Sequence, residues 1–277
     1  MITAERRLMT ALLTRDHFRH RPILGMVHLL ALPGAPLFGG SIDAVIDAAL
    51  RDARAICDGG CDGLLFENFG DKPFHATRVE PVTIAAMTRV INDVVHAVRL
   101  PFGVNVLRND AHAALAIAAA TGARFIRINV HTGAMFTDQG MIEGEAAETL
   151  RLRARIAPNV AIYADHFVKH AVPPAGVDAT QAAKDLRQRG LADAIVVSGA
   201  ETGSPPDADR LRVVREAIGD APILIGSGLT AENASAFADA DGAIVGTSIK
   251  SGGRVDDPVD RQRVERIVAA FKAPGVR

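Results

Sequence analysis

Two carboxylates, Glu67 and Asp165, and two cations, Arg127 and Lys169, fall at or just beyond the ends of short apolar runs. They are the side chains best suited to move a proton. A desolvated carboxylate without a partner accepts a proton near neutrality, whereas one tied to an arginine holds its charge and makes a poor base. Arg127, Asn129 and His131 alternate with Ile126, Ile128 and Val130, the period of two that separates the faces of a strand. With the apolar set turned toward covering helices, the polar set points inward. An inward arginine must meet a carboxylate or hydrogen-bond acceptors, because an unpaired buried charge costs several kcal/mol. The spacing predicts Glu67 as the partner of Arg127 and Asp165 as the general base, with Arg127 and Lys169 stabilising developing negative charge. His28, Asn105 and Ser198 add polar tips from three further runs. Plainer roles stay open: a structural Glu67–Arg127 pair, a His28 that only bonds the Pro33 loop, a solvated Lys169 and His170. A Schiff base on Lys169 is disfavoured, since such a lysine usually sits within a strand. His28, Glu67, His131 and Asp165 could hold a divalent metal, but no compact spacing motif supports it, so no metal ligand is assigned.

A second constellation binds rather than reacts. Ile223–Ile225 stops at Gly226-Ser227-Gly228, and Ala243–Val245 stops at Gly246-Thr247-Ser248. Thr230 is a good N-cap for a helix from Ala231 to about Asp239. Glycines admit close backbone approach, and free N–H groups at a helix start attract anions. Paired turns on neighbouring strands would cradle a phosphate, with the Ser227, Thr247 and Ser248 hydroxyls assisting. The loops after strands 7 and 8 of a (β/α)8 barrel are the usual place for it. Ordinary tight turns are the alternative.

These residues must be positioned by strands and helices in strict alternation. Strands are expected at Ile23–Val27, Gly63–Phe66, Pro101–Val106, Phe125–Val130, Val160–Ala164, Ala194–Ser198 and the two runs above. Helices are expected after each: one carrying Ile42, Val45, Ile46, Ala49 and Leu50, one carrying Ile84 to Val95, one capped by Asp110 and ending at Gly122. Further helices run to about Ile156, over Asp178–Arg189, over Asp207–Ile218, and from Asp257-Pro258 to close the chain. Long loops fill Asn68–Pro81 and His131–Gly144, and Gly199–Pro206 makes a turn. Eight such units, averaging about 35 residues, predict one α/β domain over residues 1–277, a (β/α)8 TIM barrel. The barrel spans about 22–272, and a helix over residues 1–20 covers its N-terminal mouth or packs on another subunit of a homo-oligomer.

Composition narrows the partners. The 31 Lys+Arg against 32 Asp+Glu leave a net charge of -1, so nothing in the balance points to nucleic acid or an anionic membrane surface. The longest apolar run, Ala113–Ala120, is far short of the roughly 20 residues of a membrane span. Glu5, Arg6 and Arg7 interrupt any secretory segment, so a cytoplasmic location is expected. Cys57 and Cys61 read as small buried hydrophobes in a reducing compartment.

Several strings resemble the BtpA (BtpA/SgcQ) family. They are Gly25-Met26-Val27-His28 with Leu32-Pro33-Gly34, Glu67-Asn68-Phe69-Gly70-Asp71 with Pro73-Phe74, Asn105-Val106-Leu107-Arg108-Asn109-Asp110, and Thr137-Asp138-Gln139-Gly140. Asp165 with Lys169-His170-Ala171, Gly226-Ser227-Gly228 and Gly246-Thr247-Ser248-Ile249-Lys250 complete the set. The likeness runs from about Pro22 to Val264 and implies a ribulose-phosphate-binding-type barrel. The family takes its name from a cyanobacterial factor needed for stable photosystem I, while members in non-photosynthetic bacteria point to metabolism. No reaction is carried over. The chain departs from the pattern at Leu29-Leu30-Ala31, where prolines are expected, and at His166-Phe167, where the histidine is expected one place later. A one-residue shift changes faces.

The leading expectation is an enzyme acting by acid/base chemistry on a small phosphorylated, sugar-phosphate-like metabolite, of lyase, isomerase or hydrolase type. A non-catalytic assembly factor of the photosystem I kind is the alternative. An FMN-dependent oxidoreductase ranks last, since one Tyr and no Trp leave little to stack on a flavin. No cofactor is assigned.

Overall fold

Eight of the apolar runs become parallel strands, and the helices after them cover the outer grooves of the sheet. The computed structural model describes residues 20–199 and 208–273. The first half runs β1 (Ile23–His28), α1 (Ile42–Asp58), β2 (Gly63–Glu67), α2 (Pro81–Ala97), β3 (Phe102–Asn105), α3 (Ala111–Thr121) and β4 (Phe125–Ile128). A hairpin follows, β5 (Ala134–Thr137) and β6 (Gly140–Glu143), then α4 (Ala146–Ile156), β7 (Ala161–His166), β8 (Ala171–Val172) and α5 (Ala179–Lys184). The chain closes with β9 (Ala194–Val197), α6 (Ala208–Ile218), β10 (Ile223–Ile225), β11 (Gly242–Val245) and α7 (Arg261–Phe271). Strands β1, β2, β3, β4, β7, β9, β10 and β11 close in that order into the expected barrel. No helix among the described residues is long and apolar enough to cross a membrane. The N-terminal helix expected ahead of the barrel lies outside the described residues, as does all but Gly199 of the turn over Gly199–Pro206.

Strand parity sorts the core into two layers. Leu24, Met26, Leu65, Phe125, Ala161, Tyr163, Ala194, Val196, Leu224 and Ile244 fill the barrel, with the Phe125 and Tyr163 rings stacked at 4.5 Å. Their neighbours in sequence, such as Val27, Phe66, Ile126, Ile162 and Ile195, pack outward against the helices. Helix starts are set by local caps: Ser41, Asp110 and Asp178 accept from the backbone N–H groups of Ala44, Ala113 and Gln181. Each such cap contributes about 1 kcal/mol.

Three local expectations are corrected. The loop His131–Gly144 is mostly the β5–β6 hairpin, which pairs with β8 to form a three-stranded antiparallel sheet at the C-terminal mouth of the barrel. Met135 and Ile142 pack from it onto Val130 and Val168. No α-helix runs from Ala231 to Asp239. The Thr230 N–H donates to Asn233 Oδ1, Asn233 N–H returns to the Thr230 hydroxyl, and Asn233 Nδ2 donates to the Gly228 carbonyl. Side chains thus satisfy the backbone in a closed turn, leaving only a 3-10 turn over Ala234–Phe237. The closing helix starts three residues later than Pro258, capped by Asp260, because Val259 is held in a bridge to Lys250 and donates its N–H to Asp52.

Candidate functional site

The parity that packs the barrel interior also builds its mouth. Two residues beyond Met26, Leu65, Gly103, Phe125, Tyr163, Val196, Leu224 and Ile244, the inward positions are His28, Glu67, Asn105, Arg127, Asp165, Ser198, Gly226 and Gly246. Strand register sets His28 beside Glu67, Glu67 beside Asn105, and Asn105 beside Arg127. At Gly226 an added Cβ would collide with the Ser198 hydroxyl, and at Gly246 it would press on the His28 ring.

The ion pair is not the expected one. Arg127 donates through Nε and NH2 to the two oxygens of Asp165 at 2.9 and 3.0 Å, and Asn129 Nδ2 reaches Asp165 Oδ2 at 3.1 Å. Burial disfavours the Arg127 cation, but the Asp165 charge and hydrogen bonds outweigh it and hold the guanidinium above its ordinary pKa. Asn105 Nδ2 continues the chain to Asn129 Oδ1 and the Arg127 carbonyl. The reading that gave Arg127 to Glu67 and left Asp165 unpaired is therefore reversed. β4 lies next to β7 in the barrel, while β3 separates it from β2.

Glu67 is buried, yet its carboxylate accepts no hydrogen bond from any described residue. Its near neighbour is His28 Nε2, 3.8 Å away. Burial, reinforced by Lys250, Lys169, Arg127 and Lys72, holds His28 well below its ordinary pKa, so the imidazole is neutral at pH 7. His28 bonds no loop at Pro33. Its Nδ1 is buried without a partner among the described residues, as is Asn105 Oδ1. Buried polar atoms are rarely left unpaired except where a ligand or water completes them. Lys169 is half-buried rather than solvated, and burial, only partly offset by Glu67, pulls its ammonium below the ordinary lysine range. Arg108, on the loop after β3, also faces this group of charges and is shifted downward by burial. It was legible only as part of the Asn105–Asp110 string, not as a strand-end residue.

The two glycine turns stand side by side after β10 and β11. No helix backs the first one, so the anion site expected at a helix start is replaced by bare turns. Gly228 has φ +72, and Thr247–Ile249 form a 3-10 turn. The backbone N–H groups of Gly228, Thr247 and Ser248 donate to no acceptor among the described residues. Successive free N–H groups of this kind form an anion-binding concavity without a helix. Ser227 is turned to the Gly199 N–H, which its hydroxyl accepts at 3.2 Å.

His131 leaves the mouth. The β4 ladder ends at Ile128, so alternation no longer governs beyond Asn129, and His131 Nε2 bonds the Gly190 carbonyl at 2.7 Å outside the barrel. The four residues considered for a metal accordingly do not converge, and among the described residues no three potential ligands do. His166 faces α5, where Nε2 donates to the Ala179 carbonyl. Burial lowers its pKa to about 4. Beside the mouth, a cavity of about 440 Å³ is lined by Asn129, Asp165, Phe167, Asp178 and Leu186, room for a small molecule. Cys61 is buried, its thiol pushed up to about 12 by desolvation, and both cysteines are free.

A family model described as the BtpA family matches residues 19–273. The Photosystem I biogenesis protein BtpA of Synechocystis is 46% identical over 91% of this chain and 88% of its own length. An uncharacterised protein of Thermococcus kodakarensis is 46% identical over 92% and 97%. SgcQ of Escherichia coli is 36% identical over 90% and 93%. Among solved structures, N-(5'-phosphoribosyl)anthranilate isomerase of Pyrococcus furiosus superposes with a TM-score of 0.55 at 12% identity, covering 92% of this chain and all of that one. Orotidine 5'-phosphate decarboxylase of Pyrococcus horikoshii gives 0.54 at 13%, covering 91% of this chain and 100% of its own. At such identities these two share the fold.

Proposed function

Because this chain belongs to the BtpA family, whose members include uncharacterised archaeal proteins, we propose that it is an enzyme that moves a proton on a small phosphorylated metabolite. The observation that carries this reading is the Glu67 carboxylate, buried at the mouth, accepting no hydrogen bond from any described residue, and within electrostatic reach of Lys169 and Arg108 without pairing with either. Glu67 is the general base. Asp165, spent on Arg127 and Asn129, is a positioning residue that fixes the guanidinium. Arg127 and Lys169 then meet the negative charge that develops when the proton leaves. The phosphate sits on the free N–H groups of Gly228, Thr247 and Ser248 and holds the reacting carbon over Glu67. His28 Nδ1 and Asn105 Oδ1, both without a partner among the described residues, orient substrate hydroxyls.

The test begins with mass spectrometry of the small molecule that co-purifies, followed by a turnover assay on it. Glu67→Gln should lower kcat by about a hundredfold or more. A variant that keeps more than a tenth of wild-type kcat would remove Glu67 from the role.

A second reading, assembly, is favoured by one feature. Phe136, Met141 and Val172 lie side by side on the outer face of the three-stranded sheet, each at least half exposed. Apolar side chains grouped in this way mark contact surfaces. In a host with a scorable knockout phenotype, a Phe136→Ser, Val172→Ser double variant that fails to complement, while Glu67→Gln complements, would decide for assembly.

A further inference from the structure

Two cations at the mouth have no counter-ion within ion-pair distance among the described residues. Arg108 is buried, and its guanidinium makes one hydrogen bond, from NH2 to the Lys169 carbonyl at 2.7 Å. No described carboxylate comes within ion-pair distance of it. The Lys169 ammonium has neither a hydrogen bond nor an ion pair with any described residue. The third cation, Arg127, is already satisfied by Asp165. With His28 neutral, the carboxylates whose charge reaches both Arg108 and Lys169 are Asp165, already spent on Arg127, and Glu67, neither within ion-pair distance of them. A buried cation without a partner costs several kcal/mol. Arg108, buried next to the half-buried Lys169, is tolerated where a bound anion cancels the charge.

Their position says which part of a ligand they meet. Arg108 follows the third strand of the barrel and Lys169 the fifth, while the free N–H turns follow the seventh and eighth. In a ring of eight, the third strand lies opposite the seventh. A ligand anchored by phosphate at the turns extends across the mouth, over Glu67, toward the cation pair.

We infer that the ligand is anionic at both ends, with its phosphate at the β10 and β11 turns and a second oxyanion, carboxylate or phosphate, held between Arg108 and Lys169. A guanidinium fork beside an ammonium suits either oxyanion. The inference rests on the phosphorylated-substrate reading above and narrows it to a phospho-acid or a bisphosphate. It also leaves Glu67 unneutralised, because the ligand takes up the cations that would otherwise pair with it.

Isothermal titration of the full chain with three probes tests this: glycerol 3-phosphate, 3-phosphoglycerate and butane-1,4-diol bisphosphate. The two doubly anionic probes should bind at least about tenfold more tightly than glycerol 3-phosphate, the worth of one charge-assisted contact. Lys169→Gln and Arg108→Gln should each erase most of that preference, and Arg108→Gln should shift glycerol 3-phosphate affinity by less than about threefold. The unliganded Lys169→Gln protein should melt no lower than wild type, whereas a structural lysine would lower Tm and leave the preference alone. Which doubly anionic probe binds tighter names the second group. Equal affinity for all three probes, or a preference that survives both substitutions, overturns the inference and leaves the phosphate reading standing. Failure of all three to bind overturns both.

Discussion

Asp165→Asn should damage stability far more than Glu67→Gln. Asp165 has a fully buried side chain and is the only carboxylate among the described residues paired with Arg127, itself 2% exposed. Neutralising it removes two charge-assisted hydrogen bonds and strands a guanidinium in the barrel, a loss of about 3–5 kcal/mol. At roughly 2.1 cal/mol/K per residue, the 277-residue chain unfolds with an entropy of about 0.6 kcal/mol/K, so Tm should fall by about 5–9 °C. Glu67→Gln breaks no hydrogen bond and removes an unpaired buried charge, so its Tm should stay within about 2 °C of wild type. Scanning calorimetry at pH 7 on the two variants reads both numbers. A double variant, Asp165→Asn with Arg127→Met, should recover more than half of the loss, since a neutral pair leaves nothing stranded. Equal losses in the two single variants, or a larger one for Glu67→Gln, would mean that Arg127 depends on Glu67 after all.

Two further outcomes concern stability alone. The folded His166 value of about 4 lies below the ordinary 6.5, so on acidification the unfolded chain takes up the proton first and stability is lost from pH 6.5 downward. Urea unfolding at pH 7 and pH 5 should show wild type losing about 2 kcal/mol more than His166→Gln over that interval. Lys250 Nζ donates to Asp52 Oδ2 at 2.8 Å while Val259 N–H donates to Asp52 Oδ1, both buried. Asp52→Asn should therefore cost about 3–5 kcal/mol by calorimetry, and a loss under about 1 kcal/mol would show the pair to be dispensable.

The alternation of apolar runs and helical stretches made the barrel legible, and parity along each run identified most of its mouth. Glu67, Asn105, Arg127, Asn129, Asp165 and Ser198 all turn inward as their positions demand. What parity does not contain is lateral neighbourhood. Arg127 could be assigned to Glu67 only by overlooking that the fourth strand of such a barrel touches the third and fifth, which puts Asp165 within reach. Parity also lapses where the ladder stops, and that misplaced His131 by extending the count three residues past Ile128. Arg108 and the hairpin were missed for a different reason. Neither belongs to a barrel strand, although Asp138-Gln139-Gly140 between Ala134–Thr137 and Met141-Ile142 is a turn flanked by strand-forming residues. Asn233, whose side chain bonds replace a helix by a turn, shows the limit of reading a cap from Thr230 alone.

The small sheet above the barrel makes one loop answer to another. Lys169 sits two residues before β8, and β8 is fixed by pairing Ala171 with Thr137 and Val172 with Phe136 of the hairpin. In an antiparallel ladder a slip of one residue turns every side chain over, so the register of this pairing sets where the ammonium hangs. An insertion or deletion at Thr132-Gly133, ahead of β5, would carry Lys169 toward or away from the mouth without altering a single barrel strand. A length change in one loop thus moves a side chain borne by another, while the scaffold that folds the protein stays the same.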